Sequence, residues 1–275
     1  MPGGGRWHVS FTVEVERAER VPARPQSVVG VDVGIKHLAV LSTGELIDNP
    51  RHLVTAQQRM RALGRALSRK TGPDRRTGRR ASKRWQRGAA RLGRAHARVA
   101  NLRRDGLHKL TTRLATTYGT VVVEDLNVTG MLANRKLARY IADAGFAEIR
   151  RQLGYKTGWN GGLLVVADRW YPSSKTCSGC GTVKSKLALS EREYECEACG
   201  LVIDRDRNAA LNLAALAAQF DTAGSGPVAG RGADQKTRVR GQVAVKRQPG
   251  TTSVGQTGTV PPQGGTTDRV FTKAH

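Results

Sequence analysis

"CSGCGTVKSKLALSEREYECEACGLVIDRDRNAALNLAAL", residues 177–216, sets two Cys-x-x-Cys pairs against an acidic "DRD" and a run with helical spacing. Cys177 and Cys180 are followed, after 15 residues, by Cys196 and Cys199. Two pairs at this spacing fit a C-x2-C…C-x2-C zinc pattern. Gly181 and Gly200 follow the pairs and tolerate the tight turns that bring two thiolates onto one ion. Four thiolates leave no open position, so a zinc held there is structural. The competing reading is two disulfides or a thioredoxin-like redox pair. A ribbon of this size has too little apolar surface to fold alone, so metal binding would supply its folding energy.

The helix that follows carries the second signal. Read from Ile203, its apolar stripe is Ala209, Ala210, Leu213, Leu216, Ala217 and Phe220. Asp206 lies three and four residues before Ala209 and Ala210, so it heads the stripe and faces the core. Asp204 falls on a different face, with Arg207 and Asn208, and reads as the N-cap.

Working outward, three short apolar runs read as strands buried on both faces: "SVVGVDVG" (27–34), "GTVVVEDLN" (119–127) and "GGLLVVADRW" (161–170). "HLAVLSTGELID" (37–48) reads as a hairpin turning at Thr43-Gly44. "RWHVSFTVEVE" (6–16) alternates like a strand, and "NRKLARYIADAGFAEIRRQLGYKT" (134–157) fits one helix opened by Asn134. Strands alternating with helices give an α/β fold.

Two of those strands end on acids. Asp32 sits inside "VVGVDVG", and Glu124-Asp125 closes "TVVVED". Carboxylates are rarely buried unless paired or metal-bound. Converging carboxylates with partly open coordination hold Mg²⁺ beside phosphate. A two-ion site of that kind activates water and stabilises the leaving oxygen in phosphodiester hydrolysis. Spacing favours Glu124 over Asp125 only as the last strand residue. Each acid taken singly also fits a cap or a surface charge.

The charge points to a polyanionic partner. The 275 residues include 46 Lys+Arg against 22 Asp+Glu, a formal net charge of +24, and nucleic-acid-binding chains share that balance. From Arg51 to Arg113 there are 20 basic residues and two acidic ones. Apolar spacing at both ends of this stretch, interrupted by "KTGPDRRTG" (70–78), predicts a long antiparallel helical hairpin over 51–118. Arg75, Arg76, Arg79, Arg80, Lys83, Arg84 and Arg87 at its tip are the candidate nucleic-acid contacts. The chain has no run of 18 or more apolar residues and its start lacks a signal-peptide pattern. No membrane partner is expected. Clustered cysteines suit a metal site in a reducing compartment rather than a secreted scaffold. Residues 221–275, with ten glycines and no periodicity, are expected to be disordered.

Four segments, "GVDVGIKHLAV" (30–40), "VVVEDLNVTGM" (121–131), "YPSSKTCSGCG" (171–181) and "DRDRNAALNL" (204–213), resemble the signatures of the TnpB proteins of bacterial insertion sequences. The resemblance covers roughly residues 6–220. It implies an RNase H-like (RuvC) nuclease fold with the zinc ribbon inserted before the last helix. It also implies DNA as substrate, a guide RNA encoded by the same element, and action in the bacterial cytoplasm at the nucleoid. Carried over by motif, Asp32, Glu124 and Asp206 would be the catalytic triad that binds Mg²⁺, and the four cysteines would hold Zn²⁺. The implied domains are a remnant of an N-terminal β-barrel at 1–25, the nuclease at 26–169 and 204–220, the ribbon at 170–203 and a tail from 221. Family members carry a recognition region and most of a barrel ahead of the first nuclease strand, so a shortened N-terminus is expected. Two other functions fit the same residues: a nucleic-acid-binding remnant that does not cut, and a transposase that joins strands.

Overall fold

A computed structural model of the chain describes residues 9, 11–13, 18–188, 190–222, 238–239 and 242–243. Five strands form one sheet: β1 (Arg24–Val33), β2 (His37–Leu41), β3 (Leu46–Asp48), β4 (Tyr118–Glu124) and β5 (Leu163–Ala167). Their order is β3-β2-β1-β4-β5. β1, β2 and β3 are antiparallel neighbours, whereas β4 runs parallel to β1 and to β5. All three parallel strands therefore end at the same edge, where Val31 is level with Val123, and Glu124 with Ala167.

The period of two along β1 and β4 sends alternate residues to opposite layers. Val29, Val31, Val121 and Val123 join one core with Leu107, Leu110 and Leu114 of α2 (Lys83–Thr117), Ile141 of α4 (Ala138–Ala144), and Ile149 and Leu153 of α5 (Phe146–Trp159). Val122, Val165 and Ala167 join a second core with Leu213, Leu216 and Ala217 of α6 (Arg205–Thr222). Gly30, between Val29 and Val31, faces α6. A Cβ there would lie 1.9 Å from the Ala210 carbonyl oxygen and 2.6 Å from the Ala214 nitrogen. Only glycine permits that approach.

α1 (His52–Ser68) and α2 form an antiparallel pair joined by residues 69–82. α1 has no side-chain cap of its own; Asp143 of α4 supplies one, accepting from the Leu53 N–H at 2.9 Å. Ser82 caps α2 by accepting from the Trp85 N–H. The 35 residues of α2 span about 52 Å. The Thr116 carbonyl meets Ala23 ahead of β1, while Leu107 neighbours Leu38 near the far edge. Traced back from its C-terminus, α2 thus runs along the sheet toward the edge where Asp32 and Glu124 lie. Its buried residues begin at Val99, so its first half projects past that edge.

The single helix expected over 134–157 is two. Gly145 takes φ 71° between α4 and α5, and a Cβ there would sit 2.9 Å from a Leu107 methyl. The break lets Ile141 and Phe146 both reach the core. Asn134 caps a turn, accepting from the Lys136 and Leu137 N–H groups. A one-and-a-half-turn helix, α3 (Val128–Leu132), precedes it.

The expected strand at 6–16 lies largely outside the described residues; Val9, Phe11, Thr12 and Val13 are described and belong to no strand. The expected disorder from 221 also falls mostly outside them. The last turn of α6 is described, and so is a short antiparallel pairing of β8 (Arg238–Val239) with β9 (Gln242–Val243), in a separate unit of the chain.

Candidate active site and metal centre

Asp32 follows Gly30 by two residues, so it points to the same face, toward α6. Glu124 follows Val122 by two and does likewise. Asp206 is one turn ahead of Ala210, whose carbonyl touches Gly30. Those three spacings carry the three carboxylates to one cleft at the strand ends. Each is half-buried. Burial is the main cause that holds the Asp32 carboxyl well above the usual carboxylate range; the negative charges of Glu124 and Asp206 push it further, Arg205 opposes them, and Asp204 adds a smaller push upward. Glu124 is raised by burial, against a hydrogen bond from the Ser173 hydroxyl. Arg205 lies 3.1 Å from Asp206 Oδ1. A hard, oxygen-only donor set whose negative charge Arg205 offsets only in part is the chemistry that suits Mg²⁺.

The neighbouring acids go elsewhere. Asp125 points away from α6 and pairs with Arg150 and with Arg169, the latter at 2.8 Å. Asp204 ends β7 (Val202–Asp204), and its Oδ1 accepts from the N–H groups of Asp206 and Arg207 at 3.0 Å each. It caps α6, which begins two residues later than Ile203.

Between β5 and α6 the chain forms a ribbon. β6 (Glu193–Glu195) pairs with β7 around a core of Cys177, Tyr194 and Cys196. All four cysteine sulfurs lie within 4.8 Å of one another, and no disulfide joins them. Cys177–Cys199 and Cys180–Cys196 stand 3.6 Å apart, Sγ to Sγ. A tetrahedral shell with metal–sulfur bonds of about 2.3 Å sets its sulfurs about 3.8 Å apart, so the four side chains could hold one ion. The two knuckles match: the N–H of Gly181 returns to the Cys177 carbonyl and that of Gly200 to Cys196, with φ 79° and 72° at the glycines. Among the described residues no other cluster of Cys, His or acids is so tight.

Spacing alone misses three residues of the site: Ser173, which bonds Glu124, and two asparagines of α6. Asn208 is fully buried, although helical spacing placed it with Asp204 on an outward face. Its amide donates to the Thr176 carbonyl at 2.7 Å and its oxygen accepts from the Ser178 N–H. Asn212 donates to the Ser173 and Thr176 carbonyls. The available signal is two asparagines four apart in an otherwise apolar helix, polar groups that must find buried partners.

Arg75, Arg76, Arg79, Arg80, Lys83, Arg84 and Arg87 are all exposed, in the 69–82 connection and the first turns of α2. They are not gathered at the carboxylates, but they lie on the projecting half of the hairpin. No described helix is long and apolar enough to cross a membrane.

The family model OrfB_IS605, described as "Probable transposase", matches residues 10–135, and the "Cas12f1-like, TNB domain" model matches 146–213. A "Putative RNA-guided DNA endonuclease" of Streptomyces pristinaespiralis is 45% identical over 222 residues, 81% of this chain and 52% of that protein. The chain belongs to the TnpB (OrfB) family. A further relative, "Putative RNA-guided DNA endonuclease InsQ" of Escherichia coli, is 33% identical over 77% of this chain and 54% of its own length. The chain spans about half the length of these curated relatives. Its fold matches a chain in "Cryo-EM structure of the Cas12f1-sgRNA-target DNA complex", with TM-score 0.50 and 19% identity over 74% of this chain and 52% of that one. That likeness concerns the mixed α/β architecture.

Proposed function

We propose that the chain carries the strand-cutting part of an RNA-guided DNA endonuclease of a bacterial transposable element. The observation that carries this reading is the convergence of Asp32, Glu124 and Asp206 on one face of the sheet, with Asp125 and Asp204 committed to other partners. The strand order, three antiparallel strands followed by two parallel ones, supports an RNase H-like (RuvC) nuclease formed by residues 26–169 and 204–220. Residues 170–203 are the zinc ribbon, and 51–118 the basic hairpin. The names of the relatives support two partners, target DNA and a guide RNA; that the RNA comes from the same element and is met in the bacterial cytoplasm is what the TnpB resemblance implies.

In this reading Asp32, Glu124 and Asp206 hold Mg²⁺ through carboxylate oxygens. When bound, the metal supplies activation of water and charge stabilisation at the 3′ leaving oxygen. The protein's own part is to hold the three acids fixed and half-dry. The raised affinity of Asp32 for a proton means that it needs a cation, or a proton, in place. The cysteines bind Zn²⁺ as a structural ion that fixes the ribbon.

The test is cleavage of single- and double-stranded DNA by the chain purified with RNA transcribed from its own element, with Mg²⁺ and with EDTA. Cutting that needs Mg²⁺ and disappears in Asp32→Ala supports the reading. RNA and DNA binding without cutting under any divalent cation, in this chain and in a full-length relative alike, would replace it with a binding function.

A further inference from the structure

Ser173 belongs to no strand or helix, yet it is 3% exposed. Its hydroxyl donates to Glu124 Oε1, across 49 residues of chain. An ionised carboxylate only accepts hydrogen bonds, so a donor at this place engages the charged form. It also stops rotation of the carboxylate about its last bond. The backbone that presents Ser173 has no ladder or helix to hold it. It is held by α6 instead. The Asn212 amide forks to the Ser173 carbonyl at 2.7 Å and the Thr176 carbonyl at 2.6 Å. Asn208 bonds the Thr176 carbonyl and the Ser178 N–H, which flank Cys177. One end of this clamped segment thus touches a carboxylate of the cleft, and the other is a cysteine of the metal knot. The clamp comes from the helix that also carries Asp206.

We propose that Ser173 is a positioning residue for the Glu124 carboxylate, and that the asparagine clamp makes folding of the cysteine ribbon a condition for the geometry of the carboxylate site. The inference rests on the carboxylates forming a divalent-cation site. The ribbon then has a role in the site: it is the buttress behind one of its carboxylates. The bland alternative is that Ser173, Asn208 and Asn212 merely satisfy one another in a buried loop. In that case deleting the hydroxyl would disturb stability and leave cation affinity alone.

The experiment is a calorimetric titration of Mn²⁺ into the full chain with its zinc in place, for the parent, Ser173→Ala, Ser173→Thr, Glu124→Gln, the double variant Ser173→Ala/Glu124→Gln and Asp32→Asn. Zinc content and Tm are measured on each. Ser173→Ala is expected to weaken Mn²⁺ binding by about 10–100-fold, the effect typical of a lost partner to a metal ligand, with zinc content unchanged. Ser173→Thr, which keeps the hydroxyl, restores most of it. In the Glu124→Gln background the alanine has no further effect, because its only route to the cation is gone. If the alanine variant does not accumulate as zinc-loaded protein, Ser173→Cys takes its place, with similar volume and a weak donor. Parental affinity in Ser173→Ala overturns the proposal, and so does a loss that threonine fails to restore. A parent that binds Mn²⁺ no better than Asp32→Asn overturns the cation-site reading itself, and the Ser173 role with it.

Discussion

Asp32 is a carboxylate that the fold makes uncomfortable. Burial, first of all, and then the like charges of Glu124, Asp206 and Asp204 raise its pKa, so the folded chain holds this proton more tightly than the unfolded chain does. Below the ordinary carboxylate pKa of about 4, both states are protonated and the group contributes no difference. Above it, the unfolded chain ionises first, and folding loses stability until pH passes the raised folded value. The full cost stands above that. In buffer free of divalent cations, Asp32→Asn is therefore expected to raise Tm by a few degrees at pH 7, the gain shrinking as pH falls toward 4. Added Mg²⁺ should raise the Tm of the parent and leave the variant where it is, because only the parent gains binding energy in the folded state. Scanning calorimetry checks both; equal melting of parent and variant at pH 7 would contradict the assignment of Asp32 to the cleft. In cleavage assays, alanine at Asp32, Glu124 or Asp206 should each cost at least about a hundredfold, more than loss of an outer partner does. Asp204→Ala should keep cutting and lose about 1 kcal/mol of stability as a lost N-cap. The face of Asp206 against Asp204 is readable from the 3.6 period, whereas spacing separates Glu124 from Asp125 only by its place at the strand end. Ser173 is readable from neither, since its part depends on a hydrogen bond to a residue 49 positions away.

At the scale of elements, contact between β1 and α6 sets the cleft. Gly30→Ala would drive a Cβ into the Ala210 carbonyl, a backbone atom with no rotamer to escape through. The helix must move away, at a cost at or above the upper end of the 1–3 kcal/mol typical of overpacking. Denaturant unfolding should show that loss, and the displacement should carry Asp206 from Asp32, so cutting falls as well. The ribbon depends on its metal in the same way. Cys196→Ser removes one of four thiolates from a unit whose own core is little more than Tyr194 and two cysteines. Soluble yield and zinc content, near one per chain in the parent, should fall together. Strands and the ribbon were legible because apolar runs and cysteine spacing are local signals. The break at Gly145 was not: the 134–157 run keeps helical spacing across it, and only the nearby Leu107 methyl and the left-handed φ reveal the corner. The added turn at α3 was hidden in the same way, in a stretch too short for a period to show.

At the scale of the whole molecule, the sheet and the hairpin divide the work. The sheet edge concentrates negative charge, while the hairpin carries 20 of the 46 basic residues, part of them on the half that projects past that same edge. Repulsion alone would keep a polyanion from the carboxylates. A basic arm reaching past that edge would offer the backbone a place to bind first, from the α2 layer, while the carboxylates lie on the α6 side of the sheet. The alternative is that the arginines form only a solvated face. These differ in how binding responds to salt. If roughly 6–10 side chains meet phosphates, each releases condensed counterions, and log K should fall against log salt with a slope of about −4 to −9, the shallower end for single strands. A solvated face gives a slope near zero. The tip can be tested separately, because Arg75, Arg76, Arg79 and Arg80 are exposed in the connection between α1 and α2, clear of either buried core. Replacing all four by Gln should leave Tm unchanged and flatten the slope by about 3–4, weakening binding to unrelated sequences alike, as expected of contacts that read phosphate and not base. Filter binding or fluorescence anisotropy across 50–400 mM salt, on RNA and on both forms of DNA, measures it. An unaltered slope would move the contact surface away from the tip, to the arginines nearer the sheet.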